Sequence, residues 1–72
     1  MNINLCNKNL KQFDLKEYCL KNNIKLEDLE GLYLDNNQLT SFELPKECVN
    51  LEGLNLYNNQ LTSFELPKEC VN

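Results

Sequence analysis

The amino-acid sequence predicts an α/β repeat solenoid, a stack of short coils in which each coil covers the apolar flank of the next. Two observations predict it. Residues 29–50 read LEGLYLDNNQLTSFELPKECVN, and residues 51–72 read LEGLNLYNNQLTSFELPKECVN. These 22-residue units differ only where Tyr33 faces Asn55 and Asp35 faces Tyr57. A period in the low twenties marks a unit that hides its apolar side only by stacking on neighbours. The apolar residues also fall in one order: Leu29, Leu32, Leu34, Leu39, Phe42 and Leu44, then Leu51, Leu54, Leu56, Leu61, Phe64 and Leu66.

Each unit divides into elements. Leu32-Tyr33-Leu34-Asp35 alternates apolar and polar residues, as a strand with one buried face does. The alternation is lost after Asn37, and the irregular gaps that follow suit a bend and then an irregular arm. Pro45 and Pro67 have fixed φ and no N–H, so each suits the first position of a short helical or 3₁₀ return turn. Asn37 and Asn59 fall between leucines at the bend. Buried backbone groups there need partners, and a side-chain amide carries both donors and acceptors. The alternative is a solvated asparagine in a polar loop.

The pattern LxxLxLxxNxLxxF, carried twice in one register over residues 29–72, resembles the leucine-rich repeat family. The resemblance implies a curved solenoid with a parallel sheet on its concave side and loops or 3₁₀ and short helical turns on its convex side. It also implies that Asn37 and Asn59 form a structural asparagine ladder.

Residues 1–28 align with this unit. Ile3, Leu5, Leu10, Phe13, Leu15 and Cys19 fall at the places of Leu32, Leu34, Leu39, Phe42, Leu44 and Cys48. The extra residues lie after Cys19, where the return turn is expected to expand into a helix over about residues 14–22. Asp14 suits the N-cap, with Glu17 three residues on as a capping-box partner. Leu15, Tyr18, Cys19 and Leu20 are expected on its inner face, and Asn22-Asn23 at its end. Lys8 replaces the ladder asparagine, which is tolerable at the first coil of a stack. The expected organisation is a degenerate N-terminal capping unit (1–28), a first repeat (29–50) and a second repeat (51–72) with no C-terminal cap.

The composition narrows the function. A chain of 72 residues with net charge −4 lacks the basic face that phosphates require, so nucleic acid is not an expected partner. No stretch is long and apolar enough for a membrane span. No basic segment leads into an apolar run at Met1, so an intracellular, cytoplasmic location is expected. There is no histidine, no nucleophile-elbow serine and no glycine-rich phosphate loop. No enzyme activity, metal or cofactor is expected. Cys19, Cys48 and Cys70 share one repeat position, which reads as a column of small buried hydrophobes. A disulfide between neighbouring coils, or zinc, is the alternative. Cys6 aligns with Asp35 and Tyr57 and is expected to be the exposed thiol.

The expected function is a protein–protein interaction scaffold with a concave binding face of Tyr33, Asp35, Asn36, Gln38, Asn55, Tyr57, Asn58 and Gln60. Both inter-unit differences lie in this set, and Tyr is favoured in contact patches. The plainer reading is that exposed strand positions tolerate change. A second expectation concerns the last coil, whose Leu54, Leu56, Leu61, Phe64 and Leu66 have nothing stacked on them. Exposed apolar flanks and strand edges pair with other chains. Self-association through the C-terminal repeat, as a twofold homodimer, is therefore expected. The alternative to a natural binding module is an engineered, consensus or truncated array with no natural ligand.

Overall fold

A computed structural model describes residues 1–65, with side chains through residue 62. Three strands form a parallel sheet in the order β1 (Asn2–Asn4), β2 (Gly31–Tyr33), β4 (Gly53–Asn55). The register sets Ile3 beside Leu32 and Leu32 beside Leu54. Parallel hydrogen bonding runs past the strand ends: Leu34 N–H donates to Asn55 O at 2.9 Å and Asn36 N–H to Tyr57 O at 2.9 Å.

The arm after the bend is more regular than the sequence implies. β3 (Ser41–Glu43) and β5 (Ser63–Glu65) pair as a second parallel sheet. Three residues are too few to register as an alternating run against the irregular gaps around them. Within β3, however, Phe42 is buried between two exposed neighbours. The return turn is a single hydrogen-bonded turn, with Cys48 N–H donating to Pro45 O at 3.1 Å. A 3₁₀ turn forms instead at Leu26–Asp28, where no turn was expected.

Helix α1 spans Leu15–Lys21. Asp14 Oδ1 accepts from Glu17 N–H at 3.1 Å, which satisfies one orphan donor of the first turn. The reciprocal half of the capping box is absent, because the Glu17 carboxylate pairs with Lys21 at 3.2 Å. At the other end Asn23 takes φ 56°, Ile24 N–H donates to Cys19 O and Asn23 N–H to Leu20 O. This is a Schellman ending with asparagine in the left-handed position. Leu15 and Cys19 face inward, but Leu20 is 80% exposed, not on the inner face as expected. With 3.6 residues per turn, Leu20 lies past the stripe set by Leu15 and Cys19. Lys16 reaches Glu47 at 3.5 Å and ties the helix to the return turn of the next unit.

The core is centred on the middle unit: Leu29, Leu32, Leu34, Leu39, Phe42, Leu44 and Cys48 are buried, with Ile3, Leu15 and Cys19 from the first unit. Leu51, Leu54, Leu56 and Leu61 of the second repeat only pack partly against it. Phe13 bridges the first unit to the middle one, stacking on Phe42 at 6.5 Å between ring centroids. Cys6 and Cys19 are free thiols, and Cys70 lies outside the described residues.

Candidate functional site

The exposed face of the three-stranded sheet is a small grid. Asn2, Gly31 and Gly53 stand side by side, then Asn4, Tyr33 and Asn55. Two residues further along each coil come Cys6, Asp35 and Tyr57. Side chains two apart share a face, and the intervening Ile3 and Leu32 point into the core. Tyr57 is 77% exposed, while Tyr33 and Asp35 are half-buried.

Tyr33 owes its half-burial to the glycines. A Cβ added at Gly31 would stand 2.7 Å from both Tyr33 Oη and Asn2 Oδ1. At Gly53 it would stand 3.3 Å from the same Oη. The phenol thus lies back over two glycines in adjacent strands, a close approach that a Cβ at Gly31 would force to shift and one at Gly53 would tighten. In the sequence Gly31 and Gly53 read as a close backbone approach or a relaxed strand start; that Tyr33 is what lies over them was not legible there.

Asp35 is tied down at both oxygens. Cys6 Sγ donates to Oδ1 at 2.6 Å and Asn36 Nδ2 to Oδ2 at 3.3 Å. Cys6 is therefore half-buried rather than an open thiol. The hydrogen bond to Asp35, followed by burial, raises the Cys6 pKa above its ordinary value, because ionisation would give up the proton that makes the bond. Asp35→Asn is expected to lower that pKa and speed alkylation of Cys6 by iodoacetamide at mildly alkaline pH. An unchanged rate would show that Asp35 does not hold the thiol proton.

The other predicted site residues separate. Asn55 Oδ1 accepts from Tyr57 N–H at 2.9 Å, and Asn4 makes the same bond to Cys6 N–H. Asn36 and Asn58 take φ 59° and 60°, a left-handed conformation that asparagine tolerates better than most residues. Asn58 Nδ2 also donates to Asn36 Oδ1 at 2.7 Å. These two serve the bend, and Gln38 and Gln60 lie exposed beyond it.

Asn37 sits inside the bend, 6% exposed. Its Oδ1 accepts from Lys8 N–H and Leu10 N–H at 3.0 Å each. Its Nδ2 donates to Leu34 O at 2.9 Å and Leu5 O at 3.0 Å. Asn59 repeats this one coil on, with Oδ1 accepting from Leu39 N–H and Nδ2 donating to Leu34 O and Leu56 O, each at 3.0 Å. Each amide thus closes its own bend and ties it to the coil before. Lys8 contributes only its backbone N–H, and its side chain is exposed.

Leu54, Leu56 and Leu61 of the predicted self-association surface are half-buried, while the Phe64 side chain and Leu66 lie outside the described residues. Among the described residues, no group of three or more Cys, Asp or Glu side chains is arranged to hold a metal ion. None of their helices is long and apolar enough to cross a membrane.

Stacked parallel strands in 22-residue register, with a side-chain amide tying the bend of each repeat to the coil before, define a repeat protein whose coils are held by their neighbours. The family of leucine rich repeats (2 copies) matches residues 27–68, more than half of the sequence, and the chain belongs to that family. Neither the curated proteins nor the solved structures gave a match. Leucine-rich repeats generally mediate protein–protein interaction and are typically non-enzymatic.

Proposed function

We propose that the chain is a protein-binding module whose partner lies across the exposed face of the three-stranded sheet, on Tyr33, Asp35 and Tyr57. One observation carries this reading. Positions 33/55 and 35/57 are the only ones at which the two units differ, and all four belong to that face. Residues held by packing or by the bend are identical in both units. The braced ring of Tyr33 supports the reading further, since an aromatic already ordered gives up little entropy on binding. We take this face to be concave.

The test is selection of binders from a displayed peptide library on the wild-type chain. Most selected binders are expected to lose the Tyr33→Ala/Tyr57→Ala variant and to keep a Thr40→Ala/Ser41→Ala variant, with the circular dichroism of both unchanged. Binders indifferent to the tyrosine pair would sink the proposal.

A second reading rests on a separate observation. Leu54, Leu56 and Leu61 are half-buried where their equivalents Leu32, Leu34 and Leu39 are fully buried. The 72-residue chain is expected to self-associate through this flank, as a twofold dimer with β4 edges antiparallel. Sedimentation velocity across a concentration series checks it, and a monomer at high micromolar concentration would refute it.

A further inference from the structure

The charge around the sheet face is unevenly placed. Asp35 is the one formally charged residue in the grid, and it sits at the centre of its row. Exposed Glu30 and Glu52 stand immediately before β2 and β4. Beside them a groove of about 480 Å³ is lined by Glu27, Asp28, Glu30, Val49, Asn50 and Glu52 among others. None of the described lysines belongs to the grid: Lys8 is at the bend, Lys11 on the arm, Lys16 and Lys21 on α1, Lys25 at the start of the 3₁₀ turn that carries Glu27 and Asp28, and Lys46 on the return turn.

This acidic end already holds a cation. The N-terminal ammonium of Met1 donates to Glu30 Oε1 at 3.1 Å and to Asp28 O at 3.2 Å. A primary ammonium is the same group that a lysine side chain presents. Glu52, one coil on, has no ammonium of the chain's own against it among the described ion pairs.

Resting on the sheet-face reading above, we propose that the partner is a basic protein segment. Its lysine or arginine side chains would seat on Asp35 and Glu52, and its backbone would run over Tyr33 and Tyr57. The phenol faces add a cation–π contribution to each ion pair within reach. Attraction of a negative face for a positive segment also speeds encounter and makes it salt-dependent.

The probe is a fluorescein-labelled decapeptide alternating lysine and serine, with glutamate and serine as its control, read by anisotropy at low salt. The lysine peptide is expected to bind and the glutamate peptide not to bind. Asp35→Asn with Glu52→Gln is expected to weaken binding about fivefold, the size of two exposed ion pairs. Glu43→Gln with Glu47→Gln removes the same charge away from the face and is expected to change it by less than about twofold. Equal weakening by the two pairs would mean diffuse attraction to an acidic chain and would overturn the proposal. Library binders that need Tyr33 and Tyr57 but ignore Asp35→Asn/Glu52→Gln would overturn the basic partner while leaving the face standing. Lysine-peptide binding that survives both the charge pair and the tyrosine pair would overturn both.

Discussion

Leu32→Ala is expected to cost the fold about 3 kcal/mol, and Leu54→Ala about half of that. The two leucines occupy one repeat position and have nearly identical sequence around them. They differ in what covers them. Leu32 lies between Ile3 and Leu54 in the sheet and is 0% exposed. Leu54 has Leu32 on one side and is only half-buried. Truncating Leu32 removes apolar contacts on both flanks and leaves a cavity, whereas the space beside Leu54 is open to water. A domain of this size has only a few kcal/mol of stability, so Leu32→Ala leaves much of the chain unfolded at room temperature. Urea unfolding of both variants checks it. Equal midpoints would mean that the middle coil is not the centre of the core.

Asn37→Ala is expected to cost about 3 kcal/mol, at the upper end for a buried polar truncation. Alanine would leave the N–H groups of Lys8 and Leu10 without their acceptor, and the carbonyl of Leu5 without its Asn37 donor. At 6% exposure the side chain is screened from solvent, so these groups depend on it for their partners. Asn37→Asp is expected to cost a similar amount, since a carboxylate cannot donate to Leu34 O and Leu5 O. Asn55→Ala loses one exposed bond to Tyr57 N–H and is expected to stay near 0.5 kcal/mol. The three variants are ranked by chemical denaturation. Coincident midpoints for Asn37→Ala and Asn55→Ala would remove the special role of the bend.

Both predictions follow from the stacking of near-identical units, and so does the division between what was legible in the chain and what was not. The repeat itself marked the strands of the first sheet within one or two residues, the place of the bend amides and the alignment of Ile3 with Leu32, because each is a local pattern that recurs. Asp14 and Asn22-Asn23 marked both ends of α1 for the same reason: capping depends on a few adjacent residues. The face carrying Tyr33, Asp35 and Tyr57 was also legible, as the one place where the copies diverge.

Other features depended on contacts between coils. Asn36 and Asn58 read as binding residues, yet their side chains join each other across the bend at a left-handed turn. Cys6 read as an open thiol, yet its Sγ donates a hydrogen bond to Asp35, distant in sequence. The second sheet exists because Ser41–Glu43 finds Ser63–Glu65 one coil away, and three residues of alternation are too weak to announce a strand alone. The sequence by itself determined the unit and its buried positions, since periodicity sets which side chains must leave water. Only the tertiary structure decided how deeply each copy is buried and what each polar group bonds, since both depend on which coil lies against it.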